Sequence, residues 1–544
     1  MKNVSVLDCT LRDGGRLIDC KFDDQEIKDI SLQLQKANID IIEVGFLRDW
    51  HNVDYYGNST FFTDVDQIRP FVNKNDKTIY TAFIDYGMCD IDSLKPYDGT
   101  SIDAIRFGFT KKNYDEAYND VIRWARIIME RGYKLFVQGV NSLNYTDFEL
   151  LKVIQVINEI HPYSFGIVDT YGAMYMDDVE RLYGLIDHNM LSDICINFHS
   201  HNNYQLSFAF AQEIIKLSSN SNRKIIIDST LSGIGKVAGN LNTELLVEFL
   251  VRKLGYNYDV DIVFDMIDVY IYKYALKYKW GYSIPALMAG IYKSHPNNVI
   301  YLTEKFRLDS KDIGKLLSMI DPLERQRYDY DSIQKLYMEY NSTKVDDRVI
   351  LDKIKEILSG RKVLLLMPGY SLVTQREKIN KYIDENNPLV ISANFITDFT
   401  VKEDRIAFFG SAKRYRKYAS ILDEKKIIVS NIQRDISEEE AFIVNYESLI
   451  DRGNELFDNT TIMLFNLLRK VGIQKFAIAG FDGYNRDAEN YFDDKMFEGS
   501  RFETKFDSIT ENMRKMLKAY AALLNKKTDI KFLTPSLYED IFDE

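Results

Sequence analysis

The chain is poor in the residues that mark secreted, disulfide-bonded and membrane-spanning proteins. It has only four cysteines, Cys9, Cys20, Cys89 and Cys195, and none of them forms a CxxC pair. No apolar run reaches the roughly 18 residues of a membrane span, and the N-terminal stretch MKNVSVLDCT has no apolar signal segment. These absences argue against a disulfide framework and predict a reduced, cytoplasmic protein without a membrane span.

An excess of positive charge is also missing. The formal net charge is -13, whereas a protein whose main partner is nucleic acid needs a basic face to neutralise phosphates. We therefore expect no nucleic-acid partner, although anionic small molecules can still bind locally. The composition, 46% hydrophobic and 28% charged, is that of a globular protein, and the length of 544 residues predicts two to four domains.

The first half of the chain shows a repeated alternation of strand-like and helix-like segments. Eight strand-like runs are nearly continuous in apolar residues, as expected of parallel strands covered on both faces. They are VSVLD at the start, 39–46, 77–87, 103–109, 134–140, 164–172, 194–201 and 224–235. Eight such units predict a closed (β/α)8 TIM barrel over residues 1–285, with an open doubly wound sheet as the alternative.

Polar residues at the ends of these strands favour the barrel. In a barrel the carboxyl ends of all strands form one rim, where active sites lie. The side chains expected at this rim are Asp13, Glu43, Asp85, Arg106, Gln138, Asp169, His199, His201 and Asp228.

A paired histidine motif, NFHSHNN, points to metal binding at this rim. His199 and His201 are two residues apart in a strand, so their side chains project to the same face. A hydrogen-bonded core histidine is the alternative interpretation. With Asp13 they offer one carboxylate and two imidazoles, a set suited to Mn²⁺, Mg²⁺, Co²⁺ or Zn²⁺. The guanidinium of Arg12 could stabilise a developing enolate or bind a carboxylate, and Glu43 could hold Arg12 in place. The alternative is that Arg12, Asp13 and Glu43 form a structural ion-pair network.

Four motifs, LDCTLRDGG, IIEVGF, NFHSHNN and LSGIGKVAGN, resemble in order and spacing the DRE-TIM metallolyase superfamily, specifically its 4-hydroxy-2-oxovalerate aldolase-like branch. The resemblance implies that Asp13, His199 and His201 bind a divalent metal, with Mn²⁺ expected first. It also implies that Arg12 stabilises a pyruvate enolate, that Glu43 orients Arg12, and that Asn240 contributes to the metal shell. The glycines of GIGKVAGN have the wrong spacing for the alternative, a GxGxxG phosphate loop.

Two departures from the family pattern affect the predicted chemistry. The family loop reads RDGMH, with a histidine base, whereas this chain reads RDGGR and places Arg16 there. The segment AGIYKSH resembles the part of the aldolases that brings a tyrosine over the substrate, so Tyr292 or His295 is the expected base. Acyl-CoA-condensing relatives carry Glu-Arg where this chain has Lys236 and Val237, which favours aldol chemistry over acyl-CoA condensation.

The second half of the chain predicts a different architecture. Residues 286–360 are irregular and helical, as expected of a connector packed against the barrel. From residue 361 to 544 strand-like runs return at 362–372, 388–395, 404–411, 425–431, 475–484 and 530–536, and they predict a Rossmann-like α/β domain. Its first turn, LLLMPGYSL, would suit a phosphate at a helix start, although many α/β domains have such a turn without a ligand.

This C-terminal part resembles the Rossmann-like domains of sialyltransferase-type glycosyltransferases and of the pterin-pyrophosphokinase-like group. The resemblance implies binding of a nucleotide or nucleotide sugar such as CMP. Met367 stands where those families carry glycine, and no histidine follows His295, which puts transfer activity in doubt. The residues that would contact the nucleotide are Gly369, Ser371, Asn394, Gly480 and Asp482.

Together these patterns predict a metal-dependent aldolase or lyase for a pyruvate-type 2-oxoacid, fused to a nucleotide-binding domain and serving bacterial surface-polysaccharide assembly. Two alternatives stay open: a glycosyltransferase-like or nucleotide-binding protein whose barrel is an inactive scaffold, and an acyl-CoA-dependent Claisen enzyme. A homo-oligomer also stays open as a form of assembly.

Overall fold

The structure, a computed structural model, describes residues 3–49, 57–219, 221, 223–306, 308–399, 405–418, 425–429, 431–432, 441–454, 457–485, 489–493, 506–524 and 529–542. Contacts divide the chain into two compact units, one formed by residues 1–303 with 310–328 and the other by 304–309 with 329–544. None of the described helices combines the length and apolar character needed to cross a membrane.

The first unit is a closed barrel of eight parallel strands, which confirms the prediction. Consecutive strands pair in parallel, and the first strand pairs with both the second and the last, which closes the sheet. The barrel strands are Val4–Asp8, Ile41–Leu47, Ile79–Asp85, Ala104–Thr110, Lys134–Val140, Ser164–Asp169, Cys195–Ser200 and Ile225–Ser229.

The second barrel strand departs from regular geometry close to its rim end. Its register with the next strand shifts between Glu43 and Phe46, and a short strand, Phe61–Phe62, pairs beside it. Gly45 has a φ of +154° and lies so close to the Thr60 carbonyl that an added Cβ would overlap it. Only glycine fits there, because any side chain would push this strand away from the Thr60 loop.

Helices return the chain between strands and cover the outside of the barrel. The longer ones bury one apolar face against the sheet, as the helical spacing predicts, whereas the short helix Lys111–Glu116 has no buried residue. The helices of this layer are Asp24–Lys36, Lys111–Glu116, Tyr118–Glu130, Asp147–Ile160, Met176–Asn189, Ser207–Ser218 and Thr243–Leu254, followed by Val260–Met266, a π-helical turn at Ile267–Ile271, and Tyr272–Ala275.

The predicted connector is helical, but its helices are divided between the two units. Those that lie wholly within the barrel unit are Ile284–Ile291 and Ser310–Met319, whereas Tyr330–Asn341 and Arg348–Leu358 belong to the second unit. The helix Pro296–Glu304 begins in the first unit and has only its last residue in the second.

Among its described residues, the second unit is built on a parallel sheet of seven strands. In spatial order they are Ala441–Val444, Lys425–Val429, Arg405–Phe409, Leu389–Ala393, Val363–Leu366, Lys475–Ala479 and Asp529–Phe532. The strand order reverses between Val363–Leu366 and Lys475–Ala479, so this sheet has a topological switch point there. The four-residue strand Ala441–Val444 was not predicted, because it is short and directly follows the charged run SEEE.

Helices of the second unit pack on this sheet. Apolar clusters lie on both faces of the sheet, as expected where helices cover parallel strands on two sides. The described helices are Ser371–Thr374, Arg376–Asn386, Ala412–Tyr418, Thr460–Lys470 and Phe506–Ala521.

Candidate active site

The barrel interior changes from apolar to polar along its axis. One interior layer is an apolar cluster that includes Leu7, Ile41, Ala104, Phe136, Cys195 and Ile226. Side chains two residues further along a strand point the same way. The residues found there, all buried, are Glu43, Arg106, Gln138, Asn197 and Asp228. The strand period therefore places a polar layer directly beneath the rim.

Asp13 reaches this rim through a tight turn after the first strand. The carbonyl of Cys9 accepts hydrogen bonds from the backbone N–H groups of Arg12 at 3.1 Å, Asp13 at 2.8 Å and Gly14 at 3.2 Å. This turn directs both Arg12 and Asp13 inward, and both side chains are buried.

The structure brings Asp13, His199 and His201 together, as the sequence predicts. Asp13 Oδ2 lies 4.0 Å from His199 Nε2 and 3.8 Å from His201 Nε2. The two histidine Nε2 atoms are 3.4 Å apart. Ligand atoms that share one ion at about 2.0–2.2 Å are themselves roughly 3–4 Å apart, so these distances fit one divalent metal.

His199 is oriented for this role by a carboxylate behind it. Its Nδ1 lies 3.0 Å from Asp228 Oδ2, so the tautomer with hydrogen on Nδ1 leaves the Nε2 lone pair facing Asp13 and His201. In metal sites a carboxylate commonly accepts the hydrogen of the ring nitrogen that does not bind the metal and so fixes the orientation of the histidine.

The charge states of the other two ligands also suit a cation. Burial opposes ionisation of Asp13, but Arg12 and the two histidines nevertheless hold its pKa well below the usual range. Burial lowers the pKa of His201 to about 4, so the imidazole is neutral near pH 7. A carboxylate and neutral imidazoles are the forms that bind metal.

Asn240 lies beside this set. Residues His201 and Asn240 form an isolated antiparallel bridge, and Asn240 Nδ2 donates to the carbonyl of Ile234 at 3.1 Å. Asn240 Oδ1 is buried without a hydrogen-bond partner among the described residues. An unsatisfied buried oxygen of this kind is costly unless something binds it. It fits the oxygen ligand that the sequence resemblance implies, and the donor set therefore fits a divalent ion.

Arg12 and Glu43 form the expected pair beside Asp13, one of the predicted metal ligands. Arg12 Nε donates to Glu43 Oε2 at 2.6 Å, and Arg12 Nη1 donates to Asp13 Oδ1 at 2.6 Å. Burial disfavours the charged guanidinium, but the two carboxylates raise the pKa of Arg12 above its usual value. The guanidinium lies over the ring of Phe83, 4.7 Å from its centroid. Arg12 is therefore a fixed, fully charged fork.

Arg106 has a structural role that the sequence did not assign. It is buried, donates from Nη1 to Glu43 Oε2 at 3.0 Å and from Nη2 to Asn197 Oδ1 at 3.1 Å, and forms an ion pair with Asp228. Arg106 thus connects Glu43, which binds Arg12, to Asp228, which binds His199. The available signal was an arginine within a buried apolar strand, which requires internal anions.

His199 also belongs to a second compact group with Cys9 and Asp228. The Cys9 thiol is buried, which raises its pKa, and its Sγ donates to the carbonyl of Ser229 at 3.3 Å. A protonated thiol is a poor metal ligand. We therefore assign the Asp13 side of His199, not the Cys9 side, as the metal-binding side.

The two candidate bases occupy the segment that follows the helix Ile284–Ile291. The Tyr292 hydroxyl lies against Gly314, where an added Cβ would come within 2.8 Å of it. His295 Nδ1 accepts a hydrogen bond from the N–H of Asn297 at 3.1 Å. Burial, aided by the charges of Lys236 and Arg16, lowers the pKa of His295 to about 4.

In the second unit, four of the five predicted nucleotide contacts meet at the switch point. Gly369 N donates to the carbonyl of Gly480 at 2.8 Å. Asp482 accepts from the backbone N–H of Ser371 at 2.7 Å and also binds its hydroxyl. The Asp482 carboxylate therefore already occupies the N–H group that the sequence pattern offers to a phosphate.

The fifth residue, Asn394, has a different environment. Its Nδ2 donates to Thr460 Oγ1 at 2.9 Å, and its Oδ1 accepts from the N–H of Gly410 at 3.1 Å. Its backbone has a φ of +65°, a conformation that asparagine tolerates better than most residues. Asn394 thus joins two rim loops to the helix Thr460–Lys470.

Comparison with known proteins agrees with the geometry of the barrel. The model of the HMGL-like family matches residues 3–269. The chain is 26% identical over 322 residues to 4-hydroxy-2-oxovalerate aldolase 4 of Rhodococcus opacus, covering 57% of this chain and 88% of that protein. It is 25% identical over 267 residues to homocitrate synthase AksA of Methanocaldococcus jannaschii, covering 48% of this chain and 61% of that protein.

Among solved structures, the N-terminal domain of a proposed aldolase from Bacteroides vulgatus is 24% identical, with a TM-score of 0.46 over 56% of this chain and 98% of that one. Residues 3–269 are thus similar to the HMGL-like family, and the relatives of this part include both aldolases and synthases.

Proposed function

We propose that the N-terminal barrel is a divalent-metal-dependent aldolase or lyase that forms or cleaves a carbon–carbon bond next to a pyruvate-type 2-oxoacid. The observation that carries the proposal is the convergence of Asp13, His199 and His201 within 4.0 Å of one another, beside the charged fork of Arg12. A divalent ion bound there would supply Lewis-acid polarisation of the 2-oxo group. Mn²⁺ is the ion expected first.

The residues around this set have separate tasks. Hydrogen bonds from Arg12 to the described residues use Nε and Nη1, so the Nη2 edge is left to face an oxygen of the substrate. A fixed guanidinium stabilises the negative charge of an enolate as the carbon–carbon bond breaks or forms. Glu43 holds Arg12 in this orientation, and Asn240 Oδ1 adds an oxygen to the ligand set.

A condensing enzyme is the second candidate, because homocitrate synthase AksA matches the same part of the chain. Lys236 and Val237 replace the Glu-Arg pair of the acyl-CoA-condensing relatives, which favours the aldolase. Assays with pyruvate and an aldehyde, and with a 2-oxoacid and acetyl-CoA, distinguish the two reactions. Strict dependence on acetyl-CoA would replace the aldolase proposal.

Removal of one metal ligand is expected to abolish both metal binding and turnover. Replacing Asp13 with Asn, or His199 or His201 with Ala, should weaken Mn²⁺ binding more than roughly 100-fold, since even loss of an outer-shell partner costs about 10- to 100-fold. The full chain would be stripped with EDTA and titrated with Mn²⁺, and pyruvate release from a 4-hydroxy-2-oxoacid would be followed in parallel.

The matched control is His188→Ala, because His188 is an exposed histidine whose Nδ1 lies 2.7 Å from the Gly184 carbonyl of its own helix. It should bind Mn²⁺ and turn over like the wild type. If the stripped wild type kept full activity, or if the ligand variants bound Mn²⁺ normally, the proposed metal centre would be wrong. A chain that binds CMP but neither metal nor pyruvate would instead favour the scaffold alternative.

We also propose that Tyr292 or His295 takes the proton from the 4-hydroxyl group of the substrate. Neutral His295 carries its hydrogen on Nε2 when Nδ1 accepts from Asn297, so His295 is suited to donate a proton and Tyr292 is the first candidate for the acceptor. Loss of a general base costs about 10²- to 10⁴-fold in rate. Tyr292→Phe and His295→Ala should separate the two; full turnover in both variants would place the base elsewhere.

For the second unit we propose a Rossmann-like domain that binds a nucleotide or nucleotide sugar such as CMP. The support is the position of Gly369, Ser371, Gly480 and Asp482 at the switch point, where open parallel sheets bind their ligands. Since Asp482 carries negative charge beside Ser371, its contact with the ligand is expected to be to ribose hydroxyls and not to phosphate.

Calorimetric titration of the full chain with CMP and with cytidine tests this assignment. Asp482→Asn should weaken both ligands about equally if the carboxylate binds ribose, by roughly tenfold for one lost charge-assisted hydrogen bond. The matched control is Asp384→Asn on the exposed face of the helix Arg376–Asn386. No binding of either ligand by the wild type would refute the nucleotide site.

A further inference from the structure

Three basic side chains stand at the rim of the barrel outside the proposed metal set. Arg16 follows the first barrel strand, Arg48 follows the second, and Lys236 lies in the loop after the last. These strands are neighbours in the closed sheet. We refer to Arg16, Arg48 and Lys236 as the basic cluster.

The members of the basic cluster affect one another electrostatically. Burial and then the charge of Arg16 lower the pKa of Lys236. Burial lowers the pKa of Arg48 as well; Asp85 opposes this effect and Arg16 adds to it. Arg16 and Lys236 also act on His295. Like charges on separate loops are therefore held near each other, at a cost in free energy that a bound anion would offset.

Aromatic rings, and not carboxylates, provide much of the support for the two arginines. The guanidinium carbon of Arg16 lies 4.8 Å from the ring centroid of Phe46, and that of Arg48 lies 4.9 Å from the same centroid. Arg48 also lies 4.8 Å from the ring centroid of Phe61. A ring face holds a cation by its quadrupole without neutralising its charge. Both arginines therefore keep a positive field toward the rim.

Three acidic side chains, Asp13, Asp19 and Asp85, act on the basic cluster. Arg48 Nη2 lies 3.3 Å from Asp85, and Arg16 Nε lies 3.4 Å from Asp13, which is already bonded to Arg12 and is a proposed metal ligand. Asp19 also acts on Lys236. The Nε atoms of Arg16 and Arg48 have no hydrogen-bond partner among the described residues. The side chains of these two arginines are 38% and 18% exposed, so a small ligand can reach them.

We propose that the basic cluster binds an anionic group, phosphate or carboxylate, on the second substrate of the barrel, the aldehyde. This inference rests on the proposed function in one respect, which is that the anion belongs to the aldehyde substrate. In the proposed function, Arg12 and the metal site bind the carboxylate and the enolate oxygen of the pyruvate unit. The basic cluster is therefore free to bind a different anion. Guanidinium groups bind phosphate and carboxylate oxygens through paired, charge-assisted hydrogen bonds.

The first test measures binding without turnover. The full chain is titrated calorimetrically at low ionic strength with glycerol 3-phosphate, with butanoate and with the neutral counterpart glycerol, since salt would screen a partly exposed site. At least one anion should bind about tenfold or more tightly than glycerol, and the comparison of the two distinguishes a phosphate site from a carboxylate site.

Variants then locate the site. Arg48→Gln, Arg16→Gln and Lys236→Gln should each weaken the anion roughly tenfold, as expected for one lost charge-assisted contact. Arg126→Gln is the matched control, because Arg126 is an exposed arginine on the outer helix Tyr118–Glu130. Wild-type protein that binds neither anion more tightly than glycerol would overturn the proposal. So would anion binding that is the same in all three variants, which would place the anion in another part of the chain.

The second test uses aldol addition of pyruvate to paired aldehydes with Mn²⁺. The kcat/KM for glyceraldehyde 3-phosphate or succinic semialdehyde should exceed that for glyceraldehyde or butanal by about tenfold or more, and Arg48→Gln should reduce this preference mainly through KM. A chain that binds the anion through the basic cluster but does not act on pyruvate would keep this inference and refute the proposed function. If the chain turned over pyruvate but showed no preference for anionic aldehydes, this inference would be wrong and the proposed function would stand.

Discussion

Replacing Arg12 with lysine is expected to reduce turnover by about 10²- to 10³-fold, although the charge is kept. The guanidinium reaches Glu43 from Nε and Asp13 from Nη1, each at 2.6 Å, which one planar fork can do at once. A lysine ammonium is a single, strongly hydrated point charge and cannot hold both carboxylates while facing a substrate oxygen. The loss should therefore fall on the step that develops enolate charge.

That step can be measured separately from chemistry on the aldehyde. NMR would monitor the exchange of the C3 protons of pyruvate for deuterium in the Mn²⁺-loaded protein. Mn²⁺ is supplied at a saturating concentration, because Arg12 donates to the proposed ligand Asp13 and its replacement should weaken metal binding. Arg126→Lys, at an exposed position on the outer helix Tyr118–Glu130, is the matched control. An Arg12→Lys variant that exchanged pyruvate protons within a few-fold of the wild-type rate would remove Arg12 from the mechanism.

The barrel and the proposed ligand set could be predicted from sequence because both depend on short-range patterns. Each barrel strand is a continuous apolar run, and the positions two residues apart in NFHSHNN must share a face. Asp13 joins them because parallel strands in a barrel end at one rim. No long-range information beyond closure of the sheet is needed to bring His199, His201 and Asp13 together.

The support behind these residues could not be predicted in the same way. Arg106 and Asp228 are 122 positions apart, and only the register of the closed sheet pairs them. The partner of His199 Nδ1 likewise depends on that register. The basic cluster depends on three loops, whose conformations are set by contacts such as those of Arg16 and Arg48 with Phe46.

In the second unit a local pattern indicates which residues lie together, whereas the contacts of their polar groups depend on distant positions. Gly369, Ser371, Gly480 and Asp482 do meet at the switch point of the sheet. The turn alone suggested a phosphate, but the carboxylate of Asp482, which lies 111 positions later in the sequence, binds the N–H of Ser371. Burial raises the pKa of Asp482, so the site disfavours further negative charge at that point.

Replacing Arg106 with methionine is expected to destabilise the barrel by about 3–5 kcal/mol, the usual cost of removing one partner from a buried ion pair. Arg106 is 1% exposed and holds Glu43 and Asp228 in the barrel interior. Methionine is about as long and fits the volume but leaves these two carboxylates without their shared cation. The effect should therefore come from uncompensated charge and not from a cavity.

The loss should depend on pH in a defined direction. Burial alone would raise the pKa of Asp228, but Arg106 lowers it below its usual value, so the pair contributes stability that is present near neutral pH and is lost as pH falls through the pKa of the folded state. Without Arg106 the Asp228 pKa should rise, and protonation in mild acid then relieves the buried charge. The difference in unfolding free energy between variant and wild type should shrink from pH 7 toward about pH 4.

Urea unfolding followed by tryptophan fluorescence can measure this in the intact chain, because Trp124 and Trp280 belong to the barrel unit and the third tryptophan, at position 50, lies in the same half of the sequence. The matched control, Arg126→Met on the outer helix, should change the midpoint little. Adding Asp228→Asn to Arg106→Met should recover part of the loss, since the amide needs no cation. A single variant that unfolded with the wild-type midpoint would mean that Glu43 and Asp228 do not need Arg106. The ion pairs through which Arg106 connects Glu43 and Asp228 would then contribute nothing to the stability of the barrel.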